Sequence, residues 1–373
     1  MLRLRSLAVL GVALEAACGD AGVASSSFTS GPHPMTSTAS SSASDTSSSS
    51  NSGSSSSSSS SSGSDSADVS ASGTSTGDTS GTSTGQVPDF GGHPIGCKGK
   101  IDFLFVISSW YSMSTVQKQL QEGFPAFRMM LEQEFADFDY HIMVVDSALN
   151  ALLEEKCSDC YMCNCGGCTN FGGPADYPCD EPKVDCDVTT GAGVTITGNF
   201  KAANKRCDLF GDLRYIVRGE PELAEMFACI TTLGEGAKTP LPMRSLMAAI
   251  DPGMLYNGGC NDGFLRNDAL LAVIVLNGEQ DSLSDGTPQS WYDTLVAAKK
   301  GNEEAIVTLV FSNDLDMPEP ECPGPALGPS ELRLFADAAA HGHFESICVK
   351  SYVPALKDMA GTIIEQCSLL IPQ

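Results

Sequence analysis

The chain has 373 residues, with 46 acidic side chains against 21 basic ones, a formal net charge of −25 at neutral pH and a hydrophobic fraction of 42%. That balance argues against the basic stripes by which proteins hold nucleic acid or anionic lipid, while the apolar content is enough for a core. No stretch approaches the roughly 18 consecutive apolar residues of a membrane-spanning helix.

In chain order, Met1-Leu2-Arg3-Leu4-Arg5, the apolar run Leu7 to Leu14 and Ala16-Ala17-Cys18 read as a secretory signal over residues 1–17, too short to span a bilayer. Small residues just before a cysteine resemble the lipobox of bacterial lipoproteins. The resemblance implies lipid attachment at Cys18, which becomes the mature N-terminus of an exported, membrane-anchored lipoprotein of the bacterial cell envelope. Glu15 departs from the pattern, standing where the lipobox carries an apolar residue, and ordinary signal cleavage is the alternative. Removing residues 1–17 takes away two arginines and one glutamate and moves the charge from −25 to −26. Residues 18–96 are dominated by Ser, Thr, Gly, Ala and Asp, a composition that cannot bury a core and is expected to be disordered. As a flexible tether its ends would lie about 50 Å apart.

Residues 97–373 are expected to form one domain. Ile101 to Ile107 is nearly all apolar, as in a central strand covered on both faces. Ser114-Thr115-Val116-Gln117 offers a capping box. The helix it starts places Val116, Leu120, Phe124, Phe127, Leu131 and Phe135 on one face. Tyr140 to Val145 reads as a second strand, followed by a cysteine-rich insertion at about residues 150–207 with little periodicity and many Gly, Asn and Pro. Helices are expected around Pro221–Leu233 and Pro242–Ile250, and a second central strand at Ala269–Leu276. Next come a helix near Gln289–Lys300, a strand Ala305–Phe311, a helix Ser330–Ala340, a short strand near Phe344–Cys348 and a last helix Val353–Cys367. This alternation implies an α/β fold: a three-layer, doubly wound, mostly parallel sheet with helices on both faces.

The 15 cysteines are an odd number, and reserving Cys18 for lipid leaves seven possible pairs. Eight (Cys157, Cys160, Cys163, Cys165, Cys168, Cys179, Cys186, Cys207) crowd one segment; six (Cys97, Cys229, Cys260, Cys322, Cys348, Cys367) are spread through the rest. Behind a secretory signal they read as a disulfide framework whose connectivity the sequence leaves open. The alternatives are a zinc or iron–sulfur site on Cys157 to Cys168, or thiol–disulfide exchange at the Cys-x-x-Cys pairs. Both are disfavoured: an exported chain meets oxidants, five such close ligands exceed one tetrahedral site, and no strand-to-helix turn accompanies the motif.

Asp102-Phe103-Leu104-Phe105-Val106-Ile107 followed by Ser112-Met113, together with Gly263 to Leu276, resembles the first strand and loop and the approach to the fourth strand of von Willebrand factor type A domains. The resemblance covers residues 100–370 in element order, the insertion excepted. It implies a metal-ion-dependent adhesion site at the C-terminal edge of the sheet, where a partner carboxylate completes the coordination of a divalent cation held by oxygen ligands. Carried over residue by residue, the first aspartate of the D-x-S-x-S motif falls on Ser108, the middle serine on Trp110 and the last on Ser112. The aspartate after the fourth strand falls on Gly278, and the loop threonine lies near Thr239. Only Ser112 matches, so the site is degenerate and no metal is expected unless Glu279 and Asp281 swing in; both also read as solvated loop charges. Trp110 is expected either to anchor a partner at this edge, with Glu279 and Asp281 beside it, or to cover the sheet end in place of the ion.

No enzyme and no cofactor are expected. His33 and His93 lie in or beside the tether, His141 begins an apolar strand, and His341 and His343 share a loop where a helix C-terminus favours cations. Gly-x-Ser-x-Gly and His-Glu-x-x-His are absent, and Gly234 to Thr239 misses a phosphate loop by one glycine. The expectation is a non-enzymatic envelope lipoprotein whose adhesion-type domain binds an envelope or extracellular protein without metal. The alternatives are a metal-dependent module with substituted ligands, or a cysteine-cluster metal or redox protein.

Overall fold

Successive side chains of a strand point to opposite faces, and in β1 (Lys100–Ile107) both sets are buried. Ile101, Phe103, Phe105 and Ile107 enter one hydrophobic cluster, Leu104 and Val106 another. A strand of this kind needs cover on both sides. The computed structural model, which describes residues 99–133, 138–148, 181–237 and 239–369, supplies it. The expected signal segment and tether, Cys18, Cys97, Phe135 and the cysteines from Cys157 to Cys179 lie outside the described residues.

The sheet has six strands in the order β3-β2-β1-β4-β5-β6. Strands β2 (Asp139–Asp146), β4 (Leu270–Leu276), β5 (Ile306–Ser312) and β6 (Gly342–Ser346) join β1 in parallel, and the short β3 (Ile216–Val217) pairs antiparallel with β2. Ile107 stands opposite both Asp146 and Leu276, and Leu276 opposite Phe311. Four strands therefore end level, forming a common carboxyl edge. One face is covered by α1 (Met113–Gln133), α2 (Leu223–Thr231) and α7 (Val353–Leu369), with Phe124 stacked on Phe227 at 4.1 Å. The other is covered by α3 (Pro242–Ala249), α5 (Pro288–Ala298) and α6 (Glu331–Ala338), while α4 (Pro252–Leu255) is a single turn beside α3. The fold is thus an α/β mixed sheet with helices on both faces. No helix among the described residues is long and apolar enough to cross a membrane.

At the opposite, amino edge the fully buried Asp102 accepts from Arg266 Nε and from the Arg266 amide, each at 2.8 Å. Burial outweighs this cation and pushes the carboxyl up to about 6. Arg266 also donates to the backbone oxygens of Ile101 and Asp139, so the strap leading into β4 is locked to β1 and β2.

Three sequence expectations change. The described part of the expected insertion, residues 181–207, is built into the core: Ala192, Val194 and Ile196 are buried, and the Val194 amide donates to Val144 O at 2.8 Å. Asp187, buried, holds Arg206 and Arg214 at 2.9 Å each. The disulfides Cys186–Cys260 and Cys207–Cys229 join the crowded cysteines to the spread ones, across the division drawn from their spacing. β6 lies two residues earlier than expected, because Ile347 and Cys348 are drawn into a loop closed by the third disulfide, Cys322–Cys348. Cys367 is disulfide-bonded as well. Disulfides in these numbers belong to an oxidising compartment.

Candidate functional site: a cleft at the carboxyl edge of the sheet

From β1 the chain moves to β2 and β3 on one side, then returns to β4 on the other. Neighbouring connections therefore diverge at the carboxyl ends of β1 and β4, which is where open α/β sheets place their ligand crevices. A cleft of about 660 Å³ opens there, lined by Trp110 and Tyr111 after β1, Gly278 and Glu279 after β4, Leu315 and Leu327 after β5, and the Cys322–Cys348 disulfide. The β5 loop is shaped from within. Asp314 accepts from the amides of Glu321 (2.7 Å) and Cys322 (3.0 Å), and the Leu327 amide donates to Leu315 O at 2.9 Å. Burial raises the Asp314 carboxyl, but these amide bonds outweigh it and hold the pKa below its ordinary value.

The positions that the resemblance marks as an adhesion site lie as follows. Ser108 is fully buried, and its Oγ accepts from the Trp110 amide at 3.2 Å, turned back on its own chain. Trp110 is half-buried, packs on the core of the first face, meets Tyr111 edge-on at 5.2 Å and lines the cleft. It both covers the sheet end and walls the groove. Ser112 is exposed in the left-handed region, φ 68°. Gly278 lies against Met113, and Glu279 is exposed beside it. Thr239 is exposed.

Asp281 corrects an expectation. It is buried, and it accepts from the Met243 amide (2.8 Å), the Ser284 amide (3.0 Å) and Ser284 Oγ (2.8 Å). Its carboxylate caps the first turn of α3, where orphan amides favour an anion, so it is neither a solvated charge nor placed to meet a metal or a partner. With Ser108 committed, Trp110 apolar, Gly278 bare and Asp281 turned away, the positions that the resemblance marks keep exposed side-chain oxygens at Ser112, Thr239 and Glu279. A divalent cation that requires six or more oxygens is not matched by this set, and no group of three metal-binding side chains converges among the described residues.

Internal hydrogen bonds knit the edge together. Ser109 Oγ donates to both carboxyl oxygens of Asp146, at 2.9 and 3.1 Å, and the Ala148 amide donates to Oδ1. Burial nonetheless pushes Asp146 up to about 7. The amides of Gly236 and Ala237 both donate to Ser109 O at 3.0 Å, so the glycine-rich stretch resembling a phosphate loop spends its donors inside the protein. Gly234, at φ 76°, permits a close approach: a Cβ there would lie 2.4 Å from Phe200 O. Gln117 corrects the expected capping box. α1 begins at Met113, ahead of the expected start, and buried Gln117 donates to Ser108 O and Gly234 O and accepts from the Gly234 amide, all at 2.9 Å. Ser114 donates instead to Glu235 at 2.9 Å, and Lys201 completes that group at 2.7 Å. Burial raises Glu235, but the bonds from Lys201 and Ser114 outweigh it and lower its pKa.

Ser109 and Asp146 were not singled out from the sequence, while Gln117 and Glu235 were read there only as part of a capping box and of the glycine-rich stretch. The one available signal was an acid closing an apolar strand, Val144-Val145-Asp146. The histidines stand apart. His141 Nδ1 lies 2.9 Å from Phe264 O, and burial lowers it to about 4. His341 and His343, rather than sharing a site, reach Glu304 (2.8 Å) and Thr362 (3.0 Å) separately. None lines the cleft.

No protein-family model matches the chain, and no curated protein matches it. Among solved structures it is similar to proximal thread matrix protein 1 from the mussel byssus, with 12% identity over 73% of this chain and a TM-score of 0.33. The match spans about half (47%) of that protein. A likeness at that level carries no functional argument.

Proposed function

We propose that this chain is a non-enzymatic, exported lipoprotein of the cell envelope whose folded part, of von Willebrand factor type A kind, recognises another protein through the carboxyl-edge cleft without a divalent cation. The carrying observation is an apolar cleft at the switch point of a doubly wound sheet, at a place whose oxygens do not suit a hard cation. Exposed Tyr111, Leu283, Met317 and Leu327 lie on the loops of the same edge, with 41–67% of their surface open. Of these, Tyr111 and Leu327 both line the cleft, and exposed apolar side chains grouped at one site mark interaction surfaces.

The reading is tested by replacing Tyr111 with a photo-crosslinking phenylalanine analogue in the native envelope, with Leu334, exposed on α6, as the control position. Discrete adducts from position 111 that persist in chelator, and none from position 334, are expected. Adducts that chelator abolishes, or equal adducts from both positions, would overturn it.

A further inference from the structure

The two loops that frame the cleft are one-sided in charge. Residues 277–287 and 313–329 contain Glu279, Asp281, Asp285, Asp314, Asp316, Glu319 and Glu321 and no lysine or arginine. Three of the seven are engaged: Asp281 caps α3, Asp314 shapes its own loop, and Asp316 lies 4.0 Å from Arg333. The other four, Glu279, Asp285, Glu319 and Glu321, are exposed and make no ion pair among the described residues. Among the described residues, Lys201 is paired with Glu235, Arg244 is exposed on α3 with its amide donating to Ser284 Oγ at 3.0 Å, and Lys350 is exposed on the loop after β6. Glu279 is, among the described residues, the only charged side chain lining the cleft, whose other walls are aromatic, aliphatic or neutral polar.

We infer that the cleft receives a lysine- or arginine-bearing apolar segment of a partner protein, its apolar side chain seated between Tyr111 and Leu327 and its cations paired with Glu279 and the carboxylates of the 319–321 turn. This rests on the cleft being the recognition surface. It reverses the polarity implied by the metal-dependent resemblance: with a bound cation the edge would draw a carboxylate, whereas without one the edge presents carboxylates and draws a cation. Complementary charge of this sort sets partner choice and encounter rate, and the apolar contact supplies the burial.

The experiment pans a random dodecapeptide display library on the immobilised, oxidised full chain and measures recovered peptides by fluorescence anisotropy. Peptides rich in lysine or arginine around an apolar residue are expected. Their affinity should fall about tenfold or more with Glu279→Lys plus Glu321→Lys, and weaken as salt rises. Both substitutions are at exposed positions, and an unchanged near-ultraviolet circular dichroism spectrum confirms the fold. If recovered peptides are neutral or acidic yet lose binding with Tyr111→Ser, the cleft stands and the cationic partner is refuted. If no peptide is enriched, or those recovered ignore both Tyr111→Ser and Leu327→Ser, the cleft reading itself fails and the inference with it.

Discussion

Replacing Gln117 with leucine tests how the carboxyl edge is held. The amide makes three hydrogen bonds at 2.9 Å: two donated to Ser108 O and Gly234 O, one accepted from the Gly234 amide. Gln117 is 1% exposed and Ser108 is fully buried, so water cannot replace the lost partners without the edge opening. A buried polar group left unpaired costs about 1–3 kcal/mol, and the added apolar contact of leucine returns roughly 1–2 kcal/mol. A net loss of about 2–5 kcal/mol is expected, read as a lower urea midpoint for the oxidised chain. Hydrogen exchange at Gly236 and Ala237, whose amides bond to Ser109 O, should accelerate beyond that of the central strands. A loss under about 1 kcal/mol with unchanged exchange at those two amides would refute the claim that Gln117 braces the β1 end against the 234–237 segment.

Three further outcomes follow from the same structure. Asp146 has a folded pKa of about 7, above its ordinary 3.8, so the folded state binds a proton that the unfolded state lacks between those values, and this group's contribution to stability rises as pH falls from about 7 to about 4. Asp146→Asn removes that slope: its advantage over the wild type in urea unfolding should be greatest near pH 8 and shrink towards about pH 4. An unchanging difference would refute the burial argument. His141, lowered to about 4, has the opposite sign, losing stability as pH falls from about 6.5, but it is common to both proteins and cancels. Arg266→Met strands buried Asp102 and should cost about 3–5 kcal/mol. The loss should be smaller near pH 5 than near pH 8, because Asp102, already raised to about 6, then takes a proton; Asp102→Asn in the same chain should recover part of it. Replacing Cys322 and Cys348 together with serine opens a loop of sequence separation 26, worth about 3.5 kcal/mol on the chain-entropy account. Mass spectrometry should then show faster exchange over residues 313–329 with β4 and β5 unchanged.

What the sequence revealed depended on the range of the interactions. β1 and β4 were legible because strands covered on both faces are nearly continuous apolar runs, as Leu270–Leu276 is throughout and Ile101–Ile107 is except for Asp102, which Arg266 pairs. Helices α5 and α6 fall within one or two residues of the ranges expected from the sequence, and the structure caps them with Thr287, accepting from Ser290, and Ser330, accepting from Arg333. The two residues of β3 leave no periodicity to read. Nor did spacing disclose that residues 192–196 enter the core, since their burial is settled by contact with β2 and by Cys207. At the site, the departures of Ser108, Trp110 and Gly278 from the motif that the sequence resembles were legible as carboxylates and hydroxyls not present. What holds this edge was not, because Gln117 meets Gly234 across 117 positions and Ser109 meets Asp146 across 37. Asp281 shows the same limit: loop chemistry alone does not distinguish a solvated carboxylate from one that caps a distant helix.

Calorimetric titration of the oxidised full chain with magnesium, manganese and calcium, alongside a thiol count on the same sample, tests most directly whether this edge works without a metal. The account predicts no saturable heat from any of the three and no reactive thiols. Saturable binding that Ser112→Ala or Glu279→Gln abolishes would contradict it, since the cleft would then hold a cation through side chains that line it.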